Sequence, residues 1–206
     1  MRIFVGITGA SGIVYALRLL KVLHKTSNNI EIYTVISKPA LIVSEAECLP
    51  SNKLLDFIKS YSHAVYSGED LNAPLASSSF IIDMGVVIPC SMKTVSAIAY
   101  GISNSLITRA SLNLLRLKKP LVLVIRETPI GLIELRSLLR AAEAGAIILP
   151  AAPAFYHNPQ TIDNLIDFVI GKVLDVLNIK HNLYKRWKGT RSQNQTFCAH
   201  IVLQDP

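Results

Sequence analysis

The chain has 206 residues, of which half are hydrophobic and only 17% are charged, so it is more apolar than an ordinary soluble domain. Its longest uninterrupted apolar runs nevertheless fall far short of the roughly 20 residues that a membrane span needs, so no span is expected. Three widely spaced cysteines without CxxC pairing argue against a disulfide framework and against a zinc site. Because the chain is so apolar and no membrane span is expected, we expect its apolar side chains to be buried around a cofactor or between subunits.

Apolar runs alternate with segments of helical periodicity along the whole chain. Strands are predicted at 2–5, 30–36, 84–88, 121–125 and 146–149, and helices at 12–25, 39–48, 53–60, 94–101, 106–117, 132–144 and 162–177. Residues 67–79 are rich in Gly, Asn, Pro and Ser and indicate a loop. Strands that are apolar on both faces and separated by helices predict an α/β protein with a parallel sheet covered on each side.

The formal net charge of +7 is unevenly placed, because five Lys/Arg and a single Asp follow Ile179. A basic tail can bind nucleic acid, but this one has no recognisable nucleic-acid motif, so no such partner is expected. We predict one domain at 1–180 and a basic tail at 181–206, which is either a solvated end or a cap over an anionic site or an adjacent subunit. The first predicted strand begins at residue 2, which leaves no room for a signal peptide, and a cytoplasmic location is expected.

Two strand-to-helix turns have the composition of phosphate-binding sites. Residues 6–12 read GITGASG and residues 89–94 read PCSMKT, and each follows an apolar strand. Glycine lets the backbone approach an anion, and the next helix offers unpaired N–H groups and the positive end of its dipole. The pair predicts a phosphorylated cofactor, a phosphorylated substrate, or both. Ser91 and Thr94 could instead only cap the helix and bind no ligand. Cys90 is either a reactive thiol, whose pKa the nearby cations and amides lower, or a small buried thiol.

The residues after the second predicted strand help to identify the nucleotide. A dinucleotide site has an acidic residue here to bind the ribose, but this chain has Ser37 followed by Lys38. The Tyr-x-x-x-Lys pair of short-chain reductases occurs only as Tyr184 and Lys188, in the polar tail. Both observations count against a nicotinamide cofactor. The hydroxyl of Ser37 and the second phosphate turn suit a mononucleotide better, and flavin mononucleotide (FMN) is the natural candidate. Because ligands of parallel sheets bind beyond the carboxyl ends of the strands, one cleft is expected to collect the loops at 9–12, 37, 91–94, 126–127 and 152–156.

Five motifs then occur in the order and rough spacing of one known family. They are GITGASG, PCSMKT, Arg126-Glu127-Thr128-Pro129, PAFY at 153–156 and DFVIGKVLD at 167–175. Over residues 1–180 the chain resembles the flavin prenyltransferases, the UbiX-type flavoproteins long described as aromatic acid decarboxylases. The resemblance implies a three-layer, flavodoxin-like (Rossmann-type) fold and assembly into a homo-oligomer, typically a dodecamer.

The resemblance also implies a reaction. The enzyme would transfer a dimethylallyl group from dimethylallyl phosphate to N5 and C6 of reduced FMN without using a metal, and the sequence has no Asp-Asp-x-x-Asp magnesium motif. The prenylated FMN would then serve a partner decarboxylase of the UbiD type. Whether the donor is a monophosphate or a diphosphate stays open.

By the same resemblance, the site residues fall into three groups. FMN would be held by Gly9, Ala10, Ser11, Ser37, Ser91, Met92, Lys93, Thr94 and Arg126. The prenyl phosphate would be bound by Tyr156, Lys172, Arg109, Arg116 and Ser77, with Trp187 either as an aromatic wall for the allyl cation or as a subunit contact. Proton transfer would fall to Glu127, Ser11 and Glu45, although Glu45 is alternatively an exposed helix residue. Arg109 and Arg116 are seven residues apart and therefore share one helix face.

Other functions stay open beside this one. A cysteine-type decarboxylase of the same fold would carry a PASANT-type turn, a PxMNxxMW motif and a histidine after the first helix, whereas this chain has PCSMKT and no histidine in 25–62. A non-catalytic FMN-binding or partner-binding protein would lack Glu127, Tyr156 and Lys172, all of which are present. An aromatic acid decarboxylase would release carbon dioxide unaided.

Overall fold

The computed structural model describes residues 1–26 and 29–189, and its centre is a six-stranded parallel sheet. The strands are β1 (Arg2–Ile7), β2 (Glu31–Ile36), β3 (Ala64–Ser67), β4 (Met84–Cys90), β5 (Leu121–Ile125) and β6 (Ile147–Pro150). They lie in the order β3-β2-β1-β4-β5-β6, so the direction of winding reverses between β1 and β4. After their first residue, β1, β2 and β4 are wholly buried, which explains why they are continuous apolar runs in the sequence.

Both faces of this sheet are covered by the helices α1 (Ile13–Thr26), α2 (Lys38–Glu47), α3 (Ser51–Tyr61), α4 (Met92–Ala99), α5 (Leu106–Arg116) and α6 (Leu132–Glu143), with a short 3-10 helix at Pro74–Ala76. The helix α7 (Ile162–Val176) follows later in the chain. Buried side chains of α4, α5 and α6 form one core with Phe4 and Val87. On the opposite face, α1 contacts β1, β2 and β4, and α3 packs against α1. The architecture is the three-layer, flavodoxin-like fold that the sequence predicts.

The main differences between the observed and the predicted strands lie at one edge of the sheet and at the ends of β1 and β4. The edge strand β3 was not predicted, because its four residues are partly exposed and carry little apolar pattern. Strands β1 and β4 continue two residues beyond their predicted ends, to Ile7 and Cys90. The β4–β5 ladder is irregular between Val87 and Cys90. The two central strands therefore end directly at the two turns that the sequence singles out.

The described chain divides into two compact units. The first runs from Met1 to Ala151 and contains the whole sheet, and the second begins at Ala152 and contains α7. Residues 181–189 belong to the second unit, whereas residues 190–206, including Arg191 of the basic tail, lie outside the described residues. The proposed boundary at residue 180 and the capping role of the tail stay predictions. Within the described ranges, no helix is long and apolar enough to cross a membrane.

Candidate functional site

An open cleft of about 320 Å³ lies at the carboxyl ends of the central strands, and three helices begin at it. Their N-caps are Ser37 for α2, Ser91 for α4 and Ser105 for α5, and all three line the cleft. Each hydroxyl accepts a hydrogen bond from one amide of its helix, and the first turn of a helix has further unpaired amides. Lys93 adds positive charge to the wall, whereas the charge of Lys38 is paired with the Glu69 carboxylate (2.9 Å), which lines the same cleft. Three positive helix ends at one cleft favour an anionic ligand, so capping and ligand binding are compatible here.

Thr8 connects the two strand ends at this cleft. Its hydroxyl donates a hydrogen bond to the Pro89 carbonyl (2.7 Å) and accepts one from the Ser91 amide (2.8 Å). The Thr8 side chain is only 3% exposed, so water does not compete for these bonds. The GITGASG and PCSMKT turns are therefore fixed to one another by a buried hydroxyl.

The glycines of the first turn allow a close approach to α2. A Cβ atom on Gly9 would overlap the ring of Pro39 and lie 3.0 Å from its carbonyl carbon. Gly12 has a φ of +101°, a backbone conformation that favours glycine. Ala10 between them is buried. The turn therefore packs directly against the start of α2, next to Ser37.

The first amides of α1 are paired within the protein, which differs from the expectation that they face a phosphate. The Glu47 carboxylate accepts hydrogen bonds from the amides of Gly12 (2.8 Å) and Ile13 (3.3 Å). Partial burial opposes the charge on this group, but hydrogen bonds from the Ser11 side chain and the two amides hold the pKa of Glu47 below its ordinary value. Glu47 and Ser11 thus form a hydrogen-bonded pair at the start of α1.

Glu45, the residue predicted to assist Ser11, has a different partner. Its carboxylate is exposed and accepts a hydrogen bond from the Ser51 hydroxyl (2.6 Å) at the start of α3. This geometry matches the alternative interpretation of Glu45 as an exposed helix residue. The carboxylate that contacts Ser11 belongs to Glu47, two residues further along α2.

The Arg126-Glu127 motif follows β5. The Nε atom of Arg126 is buried and has no hydrogen-bond partner among the described residues. A buried guanidinium N–H without an acceptor is unfavourable, so a ligand that supplies an acceptor would stabilise this side chain. Glu127 is exposed, and its carboxylate accepts a hydrogen bond from the Thr128 amide (3.2 Å).

The remaining residues of the PCSMKT turn divide between cleft and core. Lys93 and Thr94 line the cleft, whereas Met92 packs against the buried core of α4, α5 and α6. Cys90 is fully buried, and burial raises the pKa of its thiol. This environment favours the small buried thiol over a reactive one.

A second groove, of about 380 Å³ and open to solvent, contains the predicted cations of α5. Ser77, Arg109 and Arg116 line it together, as expected for arginines seven residues apart on one helix. The Arg109 Nε atom donates a hydrogen bond to the Ala76 carbonyl (3.0 Å). Among the described residues, neither arginine forms an ion pair with a carboxylate. The groove therefore presents two uncompensated guanidinium groups.

Asn113 fixes one of these arginines. Its side chain is 7% exposed, and its Nδ2 atom donates to the carbonyls of Leu75 and Ala76 at 3.3 Å each. Its Oδ1 atom accepts a hydrogen bond from the Arg116 Nη1 atom (3.0 Å). A buried amide thus joins the 3-10 segment to the Arg116 guanidinium.

In the second unit, Tyr156, Lys172 and Trp187 belong to one aromatic cluster. The Tyr156 ring lies 5.4 Å from the Trp187 ring and 5.8 Å from the Phe168 ring, edge to face in both cases. The Lys172 Nζ atom lies 5.4 Å from the centre of the Phe168 ring and 5.1 Å from that of Tyr184. A hydrogen bond with the Tyr184 hydroxyl raises the pKa of Lys172, so its ammonium keeps its charge. The cluster combines a fixed cation with aromatic faces.

Four residues that hold the cleft, its first turn and the arginine groove together were not predicted as site residues from the sequence: Thr8, Glu47, Ser105 and Asn113. Ser105 was detectable, because a Ser before an apolar helix with Thr108 at its third position is close to a capping box. Nothing in the sequence marks Asn113 or Glu47 as special. The prediction that residues 152–156 reach the same cleft as the other loops stays a prediction. Within the part of the chain that the structure describes, no group of three or more His, Cys, Asp or Glu side chains is placed to hold a metal.

Comparison with known proteins gives consistent results. The sequence model of the family described as Flavoprotein matches residues 1–181. The flavin prenyltransferase UbiX of Saccharolobus solfataricus is 46% identical over 190 residues, which cover 91% of this chain and 92% of that protein. The crystal structure of AnUbiX (PadA1) in complex with FMN and dimethylallyl pyrophosphate superposes with a TM-score of 0.86 at 36% identity, over 92% of this chain and 98% of that one. A dodecameric FMN-dependent UbiX-like decarboxylase from Escherichia coli O157:H7 gives a TM-score of 0.85 at 34% identity, over 92% of this chain and 100% of that one.

Proposed function

The chain belongs to the flavoprotein family, and we propose that it is a flavin prenyltransferase, which transfers a dimethylallyl group from dimethylallyl phosphate to N5 and C6 of reduced FMN. The similarity to flavin prenyltransferases extends over nine-tenths of the chain. The single observation that carries the proposal is the cleft at the reversal point of the sheet, where three helix N-termini and Lys93 meet. Such a cleft suits a ligand with a phosphate ester.

The residues present fit FMN. Gly9, Ser37, Ser91, Lys93 and Thr94 line the cleft and would hold the phosphate and the polar edge of the flavin. The buried Nε atom of Arg126 lacks a partner and would gain an acceptor from a bound flavin. Ala10 and Met92 are packed in the protein and would shape the site rather than donate to the ligand.

Two sets of cations are candidates for the prenyl phosphate. Arg109 and Arg116 face the groove with Ser77, and Lys172 lies in the cluster with Tyr156 and Trp187. Phosphate gains charge as the allylic carbon becomes cationic, so fixed donors around its oxygens lower the barrier. The Tyr156 and Trp187 rings offer negative faces that would stabilise the allyl cation.

When bound, reduced FMN supplies two nucleophilic positions, N5 and C6, which take up the dimethylallyl unit as inorganic phosphate is released. Glu127, exposed after β5, would accept the proton lost at N5 or return one to the departing phosphate. The second bond, at C6, requires another proton transfer. We propose Ser11 and Glu47 for this step, in place of Ser11 and Glu45, and the contact between Ser11 and Glu47 supports this choice.

A mass measurement tests the proposal directly. Purified protein is mixed with reduced FMN and dimethylallyl phosphate, or with the diphosphate in a parallel reaction, and flavin mass and released phosphate are measured. We expect the flavin to gain one five-carbon unit for each phosphate released from the monophosphate donor, or for each diphosphate released from the diphosphate donor. No mass gain with either donor would reject the transferase function. Release of carbon dioxide from a cysteine-terminated peptide or an aromatic acid would instead support a decarboxylase.

The proposal includes partners of this chain. The product, prenylated FMN, would be passed to a UbiD-type decarboxylase, a step supported by the resemblance of the five sequence motifs to the family. Assembly into a homo-oligomer is supported by the dodecameric relative and by exposed apolar side chains on α6, among them Leu132, Ile133 and Leu139. The basic tail at 181–206 would cap the site or an adjacent subunit. Light scattering of the purified protein and pull-down of a decarboxylase of this type would test these points.

A further inference from the structure

The carboxylate of Asp175, near the end of α7, accepts hydrogen bonds from the segment that follows the helix. The Tyr184 hydroxyl donates to Oδ2 (2.5 Å), the Arg186 guanidinium donates to Oδ1 (2.6 Å), and His181 Nε2 lies 3.0 Å from Oδ1. Burial opposes the charge on this group, but the three hydrogen bonds lower the pKa of Asp175 to about 2. One carboxylate therefore gathers three side chains of residues 181–186, and we refer to these four residues as the Asp175 clamp.

His181 takes part in the clamp through both of its ring nitrogens. Its Nδ1 atom accepts a hydrogen bond from the Leu183 amide (3.2 Å), which leaves Nε2 as the donor to Asp175. The His181 side chain is only 3% exposed. These two bonds hold the chain at 181–183 against the end of α7.

One face of α7 is shaped to receive this segment. Phe168, Gly171, Lys172 and Asp175 follow one another at positions i, i+3, i+4 and i+7 and so share that face. A Cβ atom on Gly171 would lie 2.5 Å from two carbons of the Tyr184 ring, which is too close for any side chain. The Tyr184 ring also packs 4.9 Å from the Phe168 ring. The contact between Tyr184 and α7 is thus supported by packing as well as by the clamp.

Two residues assigned to the prenyl phosphate depend on this arrangement. The Tyr184 hydroxyl, which donates to Asp175, also forms the hydrogen bond that raises the pKa of Lys172. Trp187 directly follows Arg186, and its ring contacts Tyr156. The ammonium and the indole are therefore both connected to Asp175, one through Tyr184 and the other through the backbone after Arg186.

We propose that Asp175 and Tyr184 are positioning residues of the prenyl-phosphate site, because they hold residues 181–187 on α7 and so fix both the Lys172 ammonium and the Trp187 indole. The inference rests on the proposed function only for the roles of Lys172 and Trp187. The clamp itself is a property of the second unit and can be tested without turnover.

The first test uses Trp187, the single tryptophan of the chain, in the full-length protein with and without FMN. Trp187 is already 58% exposed, so its mobility is a better measure of release than its emission wavelength. Asp175→Asn and Tyr184→Phe should lower the fluorescence anisotropy of Trp187 and raise its quenching by acrylamide. Asp163→Asn, an exposed acid in the first turn of the same helix, is the matched control and should change neither quantity.

The second test uses steady-state kinetics and FMN binding. Tyr184→Phe keeps the ring contact with Phe168 and removes only the hydroxyl, so KM for dimethylallyl phosphate should rise about tenfold, as expected for one lost hydrogen bond to a charged group. The value of kcat and the FMN dissociation constant should change much less. A residue that merely stabilised the fold would not separate KM from FMN binding in this way.

Each outcome decides the inference. Unchanged anisotropy and quenching in Tyr184→Phe would overturn it, and so would an equal loss of FMN and prenyl-phosphate binding. If circular dichroism shows that Asp175→Asn does not fold, Tyr184→Phe decides alone. A wild-type protein without prenyl transfer would refute the proposed function, whereas the Trp187 measurement would still support or overturn the clamp.

Discussion

The two regions that carry the site residues are built from different groups. In the first unit, the cleft is formed mainly by helix N-termini, which the strand order and the Ser37, Ser91 and Ser105 caps bring together. In the second unit, the cluster around Lys172 and Trp187 consists of side chains held by other side chains. Main-chain donors are positioned by the fold and survive most substitutions, whereas side-chain donors depend on particular partners. Single substitutions should therefore affect the cluster more selectively than the cleft.

The largest expected effect is on the reaction rate, and it comes from replacing Glu47, the first-unit side chain to which we give a role in proton transfer. Glu47→Gln keeps an acceptor for the amides of Gly12 and Ile13 but cannot exchange a proton with Ser11. We expect bond formation at C6 to slow about a hundredfold, as is typical for a lost general acid or base. Glu45→Gln is the matched control, because that carboxylate pairs with Ser51 instead. Rapid-quench single-turnover samples, in which the two isomeric flavins are separated by chromatography and distinguished by their absorption spectra, would count flavins joined at N5 alone. A slower Glu45 variant with a normal Glu47 variant would reverse the assignment.

A smaller effect, on stability, is expected from the hydroxyl that joins the two turns. Thr8→Val preserves the shape of the side chain but leaves the partly buried Ser91 amide without its acceptor. The free energy of unfolding should fall by about 2 kcal/mol, and FMN affinity should fall with it. Thr8→Ser retains the hydroxyl and should lose much less. Urea denaturation and flavin titration measure both quantities, and a fully stable Thr8→Val variant would show that the turns are held by other contacts.

The two candidate anion sites can be compared by removing one cation from each. Arg116→Ala and Lys172→Ala should each raise KM for dimethylallyl phosphate about tenfold without changing FMN affinity, since each loses one charged hydrogen-bond donor. If both cations contact the same phosphate, the double variant should lose less than the product of the two single effects. If the two effects on KM multiply in the double variant, the two cations do not contact the same phosphate. If a variant loses FMN affinity as much as it loses affinity for dimethylallyl phosphate, its residue is not specific to the prenyl-phosphate site.

Sequence reasoning was most successful where a local pattern determines the structure. Fully buried strands such as β5 have no polar face, so their apolar runs identified both the strands and the parallel sheet. The same logic failed for β3, whose four residues at the edge bury too little to leave a pattern. The seven-residue spacing of Arg109 and Arg116 also sufficed to place them on one face.

The sequence alone could not predict whether Glu45 or Glu47 contacts the first turn. Residues two apart on a helix point in nearly opposite directions, so only one of these carboxylates can return to the first turn. Which one does so depends on how α2 lies against that turn, and this is set by the contact between Gly9 and Pro39. Asn113 is similar, because its partners Leu75 and Ala76 lie almost forty residues earlier in the chain. Long-range contacts of this kind leave no spacing to detect.

The smallest effect concerns the Asp175 clamp in acid. The pKa of Asp175 is about 2 in the folded protein and 3.8 for an unperturbed aspartate, so its contribution to stability is complete above pH 3.8 and is lost as the pH falls through 2. Between these values the unfolded chain binds more protons, and the free energy of unfolding should therefore rise with pH more steeply in the wild type than in Asp175→Asn. After discounting for solvent screening, we expect a difference of about 1 kcal/mol across this window. The other groups around the carboxylate, Arg186, Lys172 and Tyr184, do not titrate between pH 2 and 3.8. The comparison is repeated with His181→Gln in both proteins, which removes the imidazole that contacts Asp175. Urea denaturation curves with the same pH slope in both proteins would show that the clamp does not hold the carboxylate in its charged form.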